Sequence, residues 1–379
     1  LPLAQKTKRV LFLSNLLQEP FVALNLMLDV MLSAHFGASA LQISILTTLR
    51  PLLAVCAFYW GSLLLYRPEL LRFSLIAATA LATVFFLFAP WADSIWYFIM
   101  AESCFVLFWR AANPAQMEVL KLNLDKGVRE KVFSQALSVS HASGMIIGPL
   151  LGIFLKINPG IWKELFCLGA LFYGASAWSK SYFYIPKTTL PPTRTISGFK
   201  DALLTPWRDS WKLLKGNRLF AQFQLGFFIA GSGLMFAKPS IPGFLTSMNL
   251  SFLEIFSLFT LLEGLGFILT ASFWAKYLQK VGIHKTACLI VTCFSLQPLL
   301  LLTPASTVAC VFLAYFFYGA AQSGSRLVWH LSGPLLCGNE SSSQYTSVNI
   351  LAIGVRGCFV PLLGAAFAQG FGPEACIAV

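Results

Sequence analysis

Apolar runs of about 20 residues recur from one end of the chain to the other, separated by short stretches of charge and turn residues. At 1.5 Å of rise per residue each run, as a helix, crosses a hydrocarbon core of about 30 Å. Of the 379 residues, 57% are hydrophobic and 11% charged, against about 45–50% and about 25% in a soluble domain. A soluble core cannot absorb that much apolar surface, so the bilayer is the solvent. Barrel strands would alternate apolar and polar residues, whereas Leu75 to Pro90 is apolar on every face, which leaves helices. The expected fold class is an all-α, polytopic membrane protein. The first apolar run extends well past the hydrophobic region of a leader, and no small-residue cleavage site follows it, so no cleavable signal is read.

Turn residues and charges place the spans at 10–36, 41–65, 72–90, 94–120, 132–157, 161–182, 218–246, 252–278, 286–303, 307–333 and 345–370, with the start of another beyond. Successive loops then alternate between two faces. One face collects Lys6, Lys8, Arg9, Arg67, Arg72, Lys121, Lys126, Arg129, Lys131, Lys276, Lys280 and Lys285, and the other holds Lys156 and Lys163. By the positive-inside rule the N-terminus is expected in the cytoplasm of a multi-pass protein of the cell inner membrane. The net charge of +12 follows that one face, so it implies attraction to anionic lipid and no nucleic-acid partner.

The long loop at 183–217 opens with Pro186, Pro191 and Pro192 and continues with Phe199, Leu203, Trp207, Trp211 and Leu214 at spacings of three to four. Lys200, Arg208, Lys212 and Lys215 lie opposite that stripe, the pattern of an amphipathic helix on the cytoplasmic surface. Thr205 before Pro206 is read as its N-cap and first turn. The loop divides the chain into a first bundle at 1–182, a linker at 183–217 and a second bundle at 218–379.

An offset of 212 residues aligns Ser39, Leu41, Ile43, Leu46, Thr48 and Leu49 with Ser251, Leu253, Ile255, Leu258, Thr260 and Leu261. The same offset superimposes Pro149-Leu150-Leu151-Gly152 on Pro361-Leu362-Leu363-Gly364. One ungapped shift that serves both the second and the fifth span implies two parallel repeats of six helices. The sixth span, 161–182, maps to 373–394, so the twelfth helix is expected to be cut short at Val379.

Several motifs resemble the major facilitator superfamily over essentially the whole chain. Gly37-Ala38-Ser39 with Gln42 and Ile43 opens the second span, and Gly144, Gly148, Pro149 and Gly152 follow the pattern GxxxGPxxG, a small-residue helix-packing face. Pro114 and Arg129 have the family's spacing from span four to the inner loop. The stretch containing Arg326, Trp329, His330, Gln344, Tyr345, Gly354 and Arg356 is similar to a bacterial branch of the family. The resemblance implies two pseudo-symmetric six-helix bundles and secondary active transport of a small solute by alternating access, with a monomer expected. Two departures stand out. The loop after Gly61 runs through Leu65, Tyr66, Arg67 and Arg72 without the family's aspartate, and the span-four arginine position is Glu102.

A charged residue within a span costs about 2.5–3.5 kcal/mol and is a functional candidate by default. Counting rise from the outer ends puts Asp29, Arg50, Glu102 and Lys238 about 10–14 Å deep and Glu19, Arg110, His141 and Arg356 about 21–26 Å deep, with Glu263 between. The expected pairs are Asp29 with Arg50 and Glu19 with Arg110; the alternative is that such pairs are static pins. Arg50, Arg110, Arg326 and Arg356, with Asn25 and Asn349, are the expected substrate-binding residues. Arg326 and Arg356 have no acid in their own spans, which points to an anionic or zwitterionic organic solute. Glu19, Asp29, Glu102 and Glu263 are the candidate proton carriers, which makes proton coupling or exchange the expected mode. His330 and Trp329 are read as interfacial anchors. The cysteines are scattered without metal-ligand spacing, so no metal or cofactor is expected. No HExxH, GxSxG or Walker pattern is present, which argues against an enzyme and for a gradient as driving force. A transporter-like receptor or scaffold without transport activity is the competing reading, favoured by the missing loop aspartate.

Overall fold

The computed structural model describes residues 3–26, 28–38, 40–185, 199–241, 244, 261–303 and 308–378; a few side chains within these ranges, those of Asp29 and Pro149 among them, lie outside the described set. The described chain is helical, without strands. Its helices are α1 (Leu3–Leu26), α2 (Leu28–Phe36), α3 (Ala40–Tyr66), α4 (Leu71–Ala82), α5 (Ile95–Asn123), α6 (Val128–Ile157), α7 (Trp162–Lys180), α8 (Phe199–Gly216), α9 (Arg218–Ala237), α10 (Glu263–Val281), α11 (Ile283–Leu301), α12 (Val308–Leu336), α13 (Ser342–Phe371) and α14 (Pro373–Ala378). A 3-10 stretch, Val84–Trp91, prolongs α4.

Six described segments, including Leu71–Trp91, Ile95–Asn123 and Ser342–Phe371, are long and apolar enough to cross a membrane. Leu225, Leu299, Phe359 and Leu362 lie exposed on their outer surfaces, where lipid rather than water accounts for them. The protein is thus a multi-pass membrane protein. The first part of the span expected at 252–278 lies outside the described residues.

Helices α1 to α7 form one bundle and α9 to α14 the other. The bundles meet along two seams, α3 against α13 and α6 against α10. Within the second bundle, α10 and α12 touch backbone to backbone. A methyl group on Gly266 would collide with the carbonyl of Phe316, and one on Gly319 with that of Glu263. Gly282, at φ +83°, ends α10 in a left-handed turn and lets α11 start at the next residue.

Helix α8 departs from expectation at its start. It begins at Phe199 and carries Pro206 inside, so Thr205 is not an N-cap; it is buried within the helix. Pro206 costs the helix one intrahelical N–H bond, which the contacts of Trp207, Leu213 and Leu214 offset. Trp207 donates its indole N–H to the Tyr59 hydroxyl at 2.6 Å and packs edge-on against Phe58, while Leu213 and Leu214 join Phe220 and Tyr345.

The distribution of apolar cores defines the shape. Call the end carrying Lys8, Lys121, Arg129, Lys131, Lys280 and α8 the basic face. In that half a single core draws on both bundles, combining Val10, Leu64, Leu120 and Phe133 with Phe223, Trp274, Leu278, Ile290 and Leu331. In the other half each bundle has a core of its own. Phe21 there is enclosed by Phe86, Phe105, Phe166 and Tyr173, with ring centroids 4.9–6.0 Å away, and Phe244, Leu301, Val311 and Tyr315 pack in the second bundle.

Among the described residues, a methyl group at Gly148 or Gly152 would meet nothing within 4 Å, whereas one at Gly144 would meet the Glu19 carboxylate. Gly266→Val and Gly319→Val are each expected to destabilise the protein by about 1–3 kcal/mol or more, since neither backbone can retreat. Gly148→Ala should leave the melting temperature of the detergent-purified protein unchanged, and equal losses in all three would contradict the packing described.

Candidate central site and basic-face latch

The charged side chains within the spans fall into three groups. The first is internal to the first bundle. Arg50 Nε on α3 donates to Glu102 Oε1 on α5 at 2.9 Å, and Asn25 Nδ2 on α1 donates to the same oxygen at 3.3 Å. Arg50 thus has Glu102 as an ion-pair partner; the expected partner Asp29 has its side chain outside the described set. These groups tie three helices of one bundle together.

The second group joins the bundles at mid-depth. Glu19 on α1 accepts from the Ser140 hydroxyl of α6 at 2.5 Å, so the expected Glu19–Arg110 pair does not form. Depth matched the two residues, but Glu19 turns toward α6 and not toward α5. Arg326 on α12 donates to His141 Nε2 on α6 at 3.1 Å and lies over the Phe267 ring of α10. A guanidinium only donates, so His141 offers its lone pair at Nε2. Glu19 and Glu263 both lie within electrostatic range of Arg326, one from each bundle. Arg326 is nevertheless exposed.

The third group is cationic. Arg110 on α5 lies within range of Arg356 on α13 and of His330 on α12. Arg356 is buried; its Nη1 donates to the Phe227 carbonyl of α9 at 2.5 Å, and its guanidinium sits 4.4 Å from the centroid of that residue's ring. Gly231 makes the room, since any side chain there would strike the guanidinium. Trp329 and His330 are turned inward, contrary to the interfacial role expected of them. Trp329 packs against the group containing Ala111, Ala112 and Ile350, and the His330 ring lies 5.3 Å from that of Phe133. Asn349 accepts from Gln224 and donates to the Trp329 carbonyl at 3.1 Å and to Ser332 Oγ at 2.6 Å, so its amide is engaged inside the second bundle.

At the basic face, one carboxylate oxygen holds the bundles together. Glu118 Oε2, near the end of α5, accepts from Ser342 N and Ser342 Oγ, both at 2.6 Å, from Ser343 N at 3.2 Å and from Ser341 Oγ at 3.3 Å. These are the N-terminal groups of α13, where backbone N–H groups lack intrahelical partners and the helix dipole favours an anion. Around it Ser343 Oγ donates to the Gly61 carbonyl at 3.1 Å, Ser134 Oγ to Ala271 at 2.7 Å and Gln279 Nε2 to Gly127 at 2.9 Å. Lys121 donates to the Glu340 carbonyl, and Arg129 lies 3.5 Å from that of Pro334. Glu118 was not among the residues singled out from sequence. Its signal was the run Ser341-Ser342-Ser343, an N-cap sequence, but nothing local tied that run to an acid more than 200 residues away.

Two helical bundles around a charged centre, closed at one end, define a membrane transporter shell. Residues 12–361 match the family model described as Major Facilitator Superfamily, and the chain belongs to that family. Its fold is similar to that of the human organic anion transporter MFSD10 (TETRAN), at 18% identity and TM-score 0.74 over 100% of this chain and 96% of that one. It is similar too to the proton:xylose symporter XylE bound to 6-bromo-6-deoxy-D-glucose, at 15% identity and TM-score 0.66 over 99% and 92%. The nucleoside transporter NupG gives 12% identity and TM-score 0.63 over 99% and 95%. No curated protein matches the sequence.

Removing the Glu118 carboxylate should loosen the basic face. In a background keeping Cys337, which is buried there, as the lone cysteine, Glu118→Ala is expected to raise its reaction rate with a charged maleimide at least tenfold. An unchanged rate would show that the shared core alone keeps this end shut.

Proposed function

We propose that the protein is a secondary active transporter that moves a small anionic or zwitterionic organic solute across the cell inner membrane by alternating access. The observation that carries this reading is the asymmetry of the cores, one shared by both bundles near the basic face and two separate cores beyond the centre. Such a shell exposes its middle to one side. Breaking the Glu118 contacts while closing the opposite half would expose it to the other. The positive-inside rule supports assigning the basic face and the N-terminus to the cytoplasm, so the conformation described is outward-facing.

Support for the solute class comes from the cations around the centre: among the described residues, Glu19 and Glu263 lie near Arg326, while Arg110 and Arg356 lie near each other. The similar structures include proteins named for organic anions, for xylose with a proton and for nucleosides, all small polar solutes. For coupling, Glu19 and Glu263 are the leading candidates of the four carboxylates, because they approach Arg326 from different bundles. A proton taken up by either would weaken its hold on that guanidinium and so bias one packing of the bundles over the other. Asp29 and Glu102 rank below them, and exchange without protons is the alternative mode. The receptor or scaffold reading loses its main support, because Glu118 supplies an acid that latches the basic face in place of the missing loop aspartate. A monomer suffices for this mechanism, since both bundles come from one chain.

In proteoliposomes the protein is expected to exchange labelled organic anions in counterflow. Glu19→Gln and Glu263→Gln should each lower uptake driven by a pH gradient at least tenfold while sparing counterflow. Gradient-driven uptake unchanged in both variants would exclude these carboxylates from coupling, and absence of counterflow across a broad solute panel would contradict transport itself.

A further inference from the structure

Close to the centre, several buried N–H groups have no acceptor: Nε of Arg110 and Nδ2 of Asn113 on α5, Nε1 of Trp329 on α12 and Nε of Arg356 on α13. Nδ1 of the neighbouring His330 is likewise without a partner. Arg110 and Asn113, three residues apart, share a face of α5. Trp329 packs against a cluster formed by Ala54, Ala57, Ala78, Ala111 and Ala112 of the first bundle and Ile350 of the second, and Arg110 lies within electrostatic range of both His330 and Arg356. The orphaned donors therefore gather at one junction, supplied by α5 of the first bundle and by α12 and α13 of the second. Among the described residues no carboxylate pairs with Arg110 or Arg356.

Buried donors without acceptors and cations without counter-charge are both costly, and they call for the same remedy. Water would satisfy a donor but leave two positive charges unbalanced. An oxyanion answers both needs. Arg356 is already oriented for it, because the Phe227 carbonyl and ring fix one corner of its guanidinium and leave the Nε edge unengaged.

We propose that Arg110, Asn113, Trp329 and Arg356 form an oxyanion site that binds the carboxylate or phosphate group of the solute between the two bundles. Arg110 and Arg356 supply charge-assisted bonds from opposite bundles, and Trp329 and Asn113 supply neutral donors. The bound group neutralises the repulsion between the arginines, so occupancy favours drawing α5 and α13 together. The group centred on Arg326, with Glu19 and Glu263, is left for coupling. This assignment rests on the transporter reading for its role in movement but not for binding.

The test uses the full chain purified in detergent, with succinate as the carboxylate probe, glycerol 3-phosphate as the phosphate ester and inorganic phosphate as the free ion, each against sodium chloride of equal ionic strength. At least one probe is expected to raise the melting temperature by several degrees. The apparent affinity should fall at least tenfold in Arg110→Gln and in Arg356→Gln, about threefold to tenfold in Trp329→Phe, which removes only the N–H, and not at all in Lys238→Gln. Should Arg356→Gln fail to fold, Arg110→Lys and Trp329→Phe carry the test. A response to phosphate alone would identify the free ion as the ligand, and a response to succinate or to glycerol 3-phosphate the corresponding organic anion. No response to any probe, or a response that survives Arg110→Gln and Trp329→Phe, would overturn the site. Probe binding lost in these variants without counterflow in the native chain would instead sink the transporter reading and leave the site standing.

Discussion

A single carboxylate oxygen, Oε2 of Glu118, receives four hydrogen bonds from the start of α13 and so ties the end of one bundle to the beginning of a helix in the other. The rest of the architecture depends on that junction. With α5 and α13 joined at the basic face, the apolar residues around them merge into one core, and the helices diverge beyond the centre into two separately packed halves. A carboxylate there costs little, because it meets backbone N–H groups that would otherwise be unsatisfied. The same contact is reversible in principle, since water can serve both the carboxylate and the freed helix end when they part. A wholly apolar seal would lack that alternative partner.

The polar groups of the interior sort by whether they stay within a bundle or cross between bundles. Arg50, Glu102 and Asn25 lie within the first bundle, and Asn349, Gln224 and Ser332 within the second. Such contacts make each bundle a rigid body. Glu118 with the Ser341–Ser343 run, and His141 with Arg326, link one bundle to the other. A change in their partners changes how the bundles sit without disturbing either interior, which is the separation a rocking mechanism needs.

Much of the fold was legible in the sequence because it is written locally. Span length and hydropathy reveal the helices, and the stripe of Trp207, Trp211 and Leu214 announces α8 although its start was misplaced at Thr205. The centre was legible only as a set of residues. Counting depth along the spans put Arg110 and Arg356 at one level, and the two lie within electrostatic range, yet it paired Glu19 with Arg110, because depth says nothing about which way a helix is rotated. Rotation is set by packing between distant segments, such as Ser140 against Glu19 or Phe133 against His330. Glu118 escaped notice because its partners lie in the other half of the chain.

The central claim is that the two ends of the shell open in turn, and it is tested most directly by locking the closed one. Lys121 donates to the Glu340 carbonyl across the basic face, so Lys121→Cys with Glu340→Cys, in a background without the native cysteines, places two thiols on opposite bundles at the latch. A bifunctional thiol reagent with a reducible spacer is expected to cross-link the pair and abolish counterflow, and reduction to restore it. Counterflow that continues undiminished with the pair fully cross-linked would contradict the account.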